Sequence, residues 1–257
     1  MPLYYRLYKW LLSGAWFVRS MQTLHPRSVL QYLRLKSGDG TAGECFALHF
    51  RAHPYPAYVR AKSSDILVFE QIFLKEEYRS VTLEEPSWIM DAGANIGLAS
   101  LYFLVLHPTA RVLAIEASTS NFAIMTKNLA PFPSRCTLLR AAVWRETGRV
   151  KLQFEAVPKA EWAIQVRADD NGDVPAFDVG TLIKQHGIGH LSLLKMDVEG
   201  AEEEIFSADT SWLAQVETMA IEVHGPRALE LVDARARNRF GKIRQDREIR
   251  TYSEPRS

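Results

Sequence analysis

The chain has 257 residues, of which 47% are hydrophobic and 24% are charged, a composition typical of a globular protein rather than a disordered or fibrous one. Its formal net charge is +1, so the overall charge gives no support for a nucleic-acid partner. Cys45 and Cys136 follow no metal-binding spacing and are expected to be buried thiols in a reducing compartment.

The N-terminal segment contains a short apolar run at residues 10–18, which is too short to cross a bilayer. No small-residue cleavage site follows it, so we expect a packed helix rather than a signal peptide. Arg6, Lys9 and Arg19 leave open a helix that lies on a membrane surface. We therefore expect a cytoplasmic protein, with weak peripheral membrane contact through this helix as the alternative.

After Pro86 the sequence alternates apolar runs with amphipathic segments. The apolar runs predict five buried strands, at residues 87–93, 111–118, 136–143, 190–200 and 218–225. The segments between them predict helices, at residues 96–108, 120–133, 178–187, 201–206 and 226–240. Two further strands are predicted, at residues 149–156 and 162–168. This alternation is typical of an α/β fold, Rossmann-like, with a mostly parallel sheet and helices on both faces.

The turn after the first of these strands lies in the stretch IMDAGANIGLAS, residues 89–100. Gly93 and Gly97 permit a tight turn and the close approach of a ligand, and the helix that follows offers free N–H groups. Glu116 ends the next strand, where a carboxylate can accept both hydroxyls of a ribose. Because ligands bind at the carboxyl ends of parallel strands, these features predict a nucleoside site.

The type of nucleoside follows from Asn95 and Asp91. A dinucleotide site has a glycine in the middle of the turn to receive a pyrophosphate, and Asn95 occupies that position. Asp91 places negative charge beside the turn, which repels phosphate and suits an ammonium or a sulfonium. We therefore expect S-adenosylmethionine rather than NAD(P), with Asp91 at its amino-acid end, lined by backbone between Gly93 and Gly97.

The string LLKMDVEGAEEEIF, residues 193–206, together with DAGANIG and AIEVH, resembles the FkbM family of S-adenosylmethionine-dependent methyltransferases. Its Lys-x-Asp-x-Glu-Gly-x-Glu pattern is the most specific signature of that family. Upstream, residues 58–78 also resemble the family, with matches at Arg60, Asp65, Phe69, Phe73 and Tyr78. The resemblance covers about residues 58–225, which is most of the chain.

This resemblance implies a class I methyltransferase domain at residues 58–257, preceded by an N-terminal helical or mixed extension at residues 1–57. It also implies methylation of hydroxyl oxygens on sugars, glycans, glycolipids or other natural products. The segment 225–257 departs from the family, because nine Lys and Arg stand against five acids where apolar strands normally close the sheet. We expect a solvated terminal helix and strand there, with an anionic partner as the alternative.

Acids and a histidine gather at the exits of the last two predicted strands. Spacing by two residues places Asp197 on the same face as Glu199, and Glu222 on the same face as His224, if the strands extend that far. We expect His224 or Asp197 to act as the general base towards the hydroxyl. Glu199 would position the substrate or orient the base.

Several residues have both a structural and a functional interpretation. Glu199 and Glu202 suit the first turn of the helix that follows them, where carboxylates are favourable. Lys195 is expected to pair with a neighbouring acid. Asn121 lies at the start of the second helix, where it could either cap the helix or contact the cofactor. Trp144 packs either on the adenine edge or in the core.

A divalent metal is an alternative use of the acids at the strand exits. Asp197, Glu222 and His224 together could hold Mg²⁺, which prefers oxygen ligands. We nevertheless favour a site without metal. The six other histidines follow no metal spacing and are expected to be ordinary residues: His25, His49, His53, His107, His186 and His190.

The sequence thus predicts an S-adenosylmethionine-dependent O-methyltransferase that acts on a small molecule or glycan, not on nucleic acid. Two alternatives stay open: an NAD(P)-dependent oxidoreductase on the same fold, and a module that binds the nucleoside without catalysis. We expect variable segments, residues 1–60 and 155–178, to form the acceptor pocket.

Overall fold

The computed structural model describes residues 17–154, 164–169 and 171–256. Most of the predicted N-terminal helix, with Arg6 and Lys9, therefore lies outside the described residues. The chain divides into two compact units, Met1–Glu76 and Glu77–Ser257, so the predicted boundary after residue 57 falls inside the first unit. No described helix combines the length and the apolar character that crossing a membrane requires.

The first unit contains two helices and a small hairpin after a helical stretch at residues 17–23. Helix α1 spans Pro26–Lys36, and helix α2 spans Asp65–Phe69 and continues as a π-helical turn over Glu70–Leu74. Strands β1 (Cys45–Leu48) and β2 (Ala57–Arg60) pair antiparallel.

Arg60 and Asp65 form a buried ion pair in the first unit. Both oxygens of Asp65 accept hydrogen bonds from the Arg60 guanidinium at 2.8 Å, and Asp65 Oδ2 also accepts from the Arg60 backbone N–H. The side chains are 9% and 1% exposed. The pair therefore ties the end of β2 to the start of α2, and it is internal to this unit.

The second unit is built on a seven-stranded sheet. Its strands are β3 (Trp88–Ala92), β4 (Arg111–Ile115), β5 (Cys136–Leu139), β10 (Leu191–Met196), β11 (Val216–Glu222), β12 (Phe240–Asp246) and β13 (Ile249–Pro255). Its helices are α3 (Leu98–Leu106), α4 (Thr119–Leu129), α5 (Val179–Gln185), α6 (Glu202–Ser207) and α7 (Pro226–Ala236). The five strands and the helices predicted after Pro86 are thereby confirmed.

The strand order is β12-β13-β11-β10-β3-β4-β5. Strands β11, β10, β3, β4 and β5 run parallel, and β13 is antiparallel to both of its neighbours. From β3 the chain moves outwards to β4 and β5, whereas from β10 it moves the other way to β11. The order therefore reverses between β3 and β10. Parallel strands are joined by right-handed crossovers as a rule, so we expect the helices of the two halves on opposite faces of the sheet.

The C-terminal segment forms the hairpin β12–β13, which closes the sheet, so the expected solvated helix and strand were only partly right. Phe240, Ile249 and Tyr252 point inwards and are at most 1% exposed. Arg250 donates to both oxygens of Asp233 on α7, at 2.8 and 2.7 Å. The many charged residues of the segment obscured its few buried apolar residues, which follow no regular strand alternation.

A second sheet of four strands has the order β6-β9-β7-β8. Its strands are β6 (Ala142–Val143), β7 (Gly148–Phe154), β8 (Ile164–Ala168) and β9 (Val174–Phe177). The third predicted strand, residues 136–143, is thus divided between the two sheets. Cys45 and Cys136 are not joined by a disulfide and are only partly buried, which corrects the expectation that they are buried thiols.

The glycines of the turn after β3 are required by packing within the chain. Gly93 has φ +74°, and a Cβ there would lie 1.7 Å from the carbonyl oxygen of Asp197. Gly97 has φ +79°, and a Cβ there would lie 2.8 Å from Met125 Cγ. The close approach expected of a ligand is therefore made by the backbone of the β10 exit and by a side chain of α4.

Replacement of Gly93 by alanine should lower the free energy of unfolding by about 3 kcal/mol or more, because rigid backbone blocks the new methyl group. Gly187→Ala is the matched control, since Gly187 also has positive φ, +63°, but nothing lies within 4 Å of its Cβ position. That substitution should cost only about 1 kcal/mol. Urea unfolding of the two variants measures the difference, and equal losses would contradict this role of Gly93.

Candidate active site

Lys195 joins the exits of the two strands at which the sheet order reverses. Its register partner across β3 and β10 is Asp91. Lys195 Nζ lies 3.0 Å from Asp91 Oδ1 and donates to the carbonyl oxygen of Gly93 at 2.8 Å. Ser100 Oγ donates to the other Asp91 oxygen at 2.7 Å. The expected pairing of Lys195 with a neighbouring acid is therefore present.

This ion pair lies in the interior, with the Lys195 and Asp91 side chains 5% and 0% exposed. Burial alone would lower the pKa of Lys195, but the Asp91 carboxylate and the nearby Tyr78 and Asp197 raise it instead. Lys195 is therefore charged. The Asp91 side chain is 0% exposed and contacts Lys195 and Ser100, and its predicted place at the amino-acid end of the cofactor stays a prediction.

Glu116 lies where the sequence predicts a ribose-binding carboxylate, directly after β4. Its two oxygens each accept one backbone N–H, from Asn95 at 2.8 Å and from Ser118 at 2.7 Å. Each oxygen keeps a lone pair, so together they can accept two hydroxyls. Burial raises the pKa of Glu116 to about 7, although the two N–H donors act against that rise. The two acceptor oxygens suit the hydroxyls of a ribose, and the Asn95 backbone N–H helps to hold the Glu116 carboxylate in place.

Asn121 lies in the first turn of α4, and Trp144 lies in the apolar core. Ser118 is the N-cap of α4, and its hydroxyl accepts the Asn121 N–H at 3.5 Å, so Asn121 itself is not the cap. Trp144 is 7% exposed and belongs to the main apolar cluster. Its indole Nε1 has no hydrogen-bond partner among the described residues. The predicted contacts of both side chains with the cofactor stay predictions.

The exits of β10 and β11 bring Asp197, Glu199 and His224 together. One ligand atom from each of these side chains lies within 4.8 Å of the others. The strands end at Met196 and Glu222, so the expected strand alternation does not explain the cluster. Instead the chain turns sharply after β10, and Glu199 adopts φ +50°.

The imidazole of His224 is held between carboxylates. Its Nδ1 lies 3.0 Å from Glu202 Oε1. Its Nε2 faces Glu199 Oε2 at 3.5 Å and Glu222 Oε1 at 3.7 Å. Because a carboxylate can only accept, Nδ1 donates to Glu202 and Nε2 is directed towards the cluster.

Glu202 is a functional residue that the sequence interpretation underrated. It begins α6, as the capping interpretation expected, and its Oε1 accepts the Gly200 N–H at 3.3 Å. It is also completely buried, and its Oε2 has no hydrogen-bond partner among the described residues. The available signals were its place as the last Glu of the Lys-x-Asp-x-Glu-Gly-x-Glu pattern and its position three residues after Glu199. Neither reveals that its side chain points inwards to His224.

The cluster crowds four carboxyl groups around one imidazole, which shifts the pKa values of its members. The hydrogen bond with Glu202 raises the pKa of His224 to about 9, so the imidazole is protonated at neutral pH. Burial raises the pKa of Glu199 to about 7 and that of Glu222 to about 8, and it also raises the pKa of Asp197. The assignment of the general base to His224 or Asp197 stays a prediction.

The sequence profile of the methyltransferase FkbM domain matches residues 91–252, which are more than half of the chain. "Methyltransferase 1" of Beauveria bassiana is 30% identical over 187 residues, which are 63% of this chain and 74% of that protein. "Methyltransferase sdnD" of Sordaria araneosa is 26% identical over 181 residues, 58% of this chain and 70% of its own length. "Hexuronic acid methyltransferase AglP" of Haloferax volcanii is 25% identical over 142 residues, 55% and 57% of the two chains.

Replacement of Lys195 by methionine should lower the free energy of unfolding by about 3–5 kcal/mol, because it leaves the Asp91 charge buried without its partner. Adding Asp91→Asn removes that charge and should recover about 2 kcal/mol or more of the loss. Arg145→Met is the control, since its pair with Glu146 is exposed and should contribute less than about 1 kcal/mol. Urea unfolding of the wild type, Lys195→Met, Asp91→Asn and the double variant gives the coupling energy, and Arg145→Met is measured beside them. Strictly additive losses would argue against the pair.

Proposed function

This chain belongs to the FkbM methyltransferase family and is an S-adenosylmethionine-dependent methyltransferase, and we propose that it methylates a hydroxyl of a sugar, glycan, glycolipid or natural product. The NAD(P)-dependent oxidoreductase considered from the sequence loses its support with this membership. The relative from Haloferax volcanii, named as a hexuronic acid methyltransferase, supports a polyhydroxylated acceptor.

The observation that carries the proposal is the chemistry at the strand exits. Beside β3 and β4 lies a site suited to a nucleoside, where Glu116 offers two acceptor oxygens. At the exits of β10 and β11 lies the group of Asp197, Glu199 and His224. The Glu116 region thus suits the ribose of the methyl donor. The group at the exits of β10 and β11 suits an acceptor hydroxyl, which must lose its proton in the reaction.

The residues of the chain bind and orient the methyl donor rather than react with it. When bound, S-adenosylmethionine supplies an electrophilic methyl group on a sulfonium. Glu116 would accept the two ribose hydroxyls, and the backbone between Gly93 and Gly97 would lie beside the amino-acid end. Lys195 holds that turn through the Gly93 carbonyl oxygen, so the turn is positioned before any ligand binds.

At the acceptor end, we assign binding and deprotonation of the hydroxyl to Asp197, Glu199 and His224 as a group. The hydroxyl oxygen forms the new bond to the methyl carbon while the carbon–sulfur bond breaks and its electron pair stays on sulfur. The hydroxyl proton passes to the group at the strand exits. Alignment of oxygen and methyl group in one site supplies up to about 7–11 kcal/mol of the barrier.

A small-molecule or glycan acceptor is favoured over nucleic acid because the C-terminal basic residues are largely engaged within the chain. Arg250 binds Asp233, and Lys242 binds Glu254. Arg239 donates to the carbonyl oxygens of Val216 and Arg256. Contact with a membrane surface through the N-terminal helix stays a prediction.

Calorimetric titration with S-adenosylhomocysteine should give binding that Glu116→Gln weakens by about a hundredfold, because two charge-assisted hydrogen bonds are lost. Affinity for the wild type should rise by roughly tenfold from pH 6 to pH 8, as the Glu116 carboxyl with its pKa of about 7 ionises and becomes the stronger acceptor. The variant should lack this pH dependence.

Glu146→Gln, which alters an exposed acid, serves as the control and should bind like the wild type. NAD⁺ should not bind to any of the three proteins. Unchanged affinity in Glu116→Gln would refute the ribose assignment, and binding of NAD⁺ alone would refute the proposed donor.

A further inference from the structure

The group of Asp197, Glu199 and His224 has the dimensions of a divalent-cation site. Its ligand atoms lie within 4.8 Å of one another. Ions held by oxygen at about 2.0–2.6 Å place opposite ligands about 4–5 Å apart, so one ion can reach all three side chains. The metal alternative considered from the sequence used Asp197, Glu222 and His224, whereas the structure brings Glu199 rather than Glu222 together with Asp197 and His224.

The contacts of Glu202 give a second, independent indication. Histidines that bind metals usually donate their other ring N–H to a carboxylate, which fixes the tautomer and directs the free nitrogen at the ion. His224 has this arrangement: its Nδ1 contacts Glu202 at 3.0 Å, while its Nε2 faces Glu199. A cation bound at Nε2 would displace the proton that this nitrogen carries in the free protein. Glu202 is completely buried, a costly position for a carboxylate that only orients a surface histidine.

Unsatisfied oxygen atoms lie in the same place. Asp197 Oδ1 and Glu202 Oε2 are both buried, and neither has a hydrogen-bond partner among the described residues. Buried polar atoms are nearly always paired in native structures, so such atoms beside an imidazole indicate a missing partner. A cation bound by Asp197 would satisfy the first of them directly and would offset the charge of the second.

We propose that Asp197, Glu199 and His224 bind a divalent cation that holds two neighbouring oxygen atoms of the methyl acceptor. Mg²⁺ prefers oxygen ligands only, whereas Zn²⁺ prefers sites rich in nitrogen or sulfur. Two carboxylates and one imidazole are an intermediate ligand set, so Mn²⁺ is a suitable probe. Three protein ligands leave about three positions of an octahedral ion open.

This inference rests on the proposed function, and it narrows the class of acceptor. Two adjacent open positions favour an acceptor with oxygens on neighbouring carbons, such as a vicinal diol or a hydroxy acid. The ion eases loss of the hydroxyl proton because it stabilises the oxygen anion. With Asp197, Glu199 and His224 bound to the ion, the proton passes to the Glu222 carboxylate, which lies 3.7 Å from His224 Nε2 at the same strand exits. It also orients the acceptor towards the methyl donor.

The test is titration of the full-length protein with Mn²⁺, followed by the loss of the electron paramagnetic resonance signal of the free ion. We expect one saturable site, with affinity lowered tenfold or more by Glu199→Gln and by His224→Gln. Glu204→Gln is the matched control, since it removes an exposed acid from α6 and should bind Mn²⁺ like the wild type. Thermal unfolding shows which variants are folded. Glu199→Gln should fold, because glutamine has the same shape as glutamate and the side chain is partly exposed.

Absence of saturable Mn²⁺ binding by the wild type would overturn the proposal, as would equal affinity in Glu199→Gln and Glu204→Gln. A parallel calorimetric titration with S-adenosylhomocysteine in excess chelator separates this result from the proposed function. Nucleoside binding without Mn²⁺ binding would refute the cation site and leave the proposed function standing. Mn²⁺ binding without nucleoside binding supports the cation site and refutes the assignment of the donor.

Discussion

The site depends on one buried cation, Lys195, at the point where the order of the sheet reverses. Lys195 joins β10 to β3 through Asp91 and holds the following turn through the Gly93 carbonyl oxygen. That turn aims the Asn95 N–H at Glu116, so the predicted ribose acceptor is held in place through backbone. A buried charge is costly unless it is paired, and here the pair fixes two neighbouring strand exits against each other.

A second buried carboxylate organises the other part of the site in a similar way. Glu202 is completely buried and holds His224 through Nδ1, which leaves Nε2 directed at Glu199 and Glu222. The two parts differ in charge balance. The acid beside β3 is neutralised by Lys195, whereas the acids after β10 and β11 outnumber the single imidazole. This excess suits a cationic centre, and it distinguishes the acceptor region from the nucleoside region.

Much of the fold could be predicted from the sequence, because continuous apolar strands such as LSLLKM and IMDA have few alternatives to a buried parallel sheet. The position of Glu116 at a strand exit could be predicted for the same reason. The pairing of Lys195 with Asp91 needed the register of two strands about a hundred residues apart, which periodicity does not contain. The inward direction of Glu202 depends on a sharp turn with Glu199 at positive φ, and no local pattern marks it.

The central claim, transfer of a methyl group to a hydroxyl oxygen, can be measured directly by nuclear magnetic resonance. The protein would be incubated with S-adenosylmethionine carrying a ¹³C-labelled methyl group and, in separate reactions, with a hexuronic acid, a neutral sugar, a polyamine and RNA. Our account predicts a new methyl-ether signal, stable to mild alkali, with the hexuronic acid or the sugar, and its loss in Asp197→Asn. An alkali-labile methyl ester on the hexuronic acid carboxylate would contradict it. A labelled methyl group on nitrogen, or on RNA alone, would contradict it.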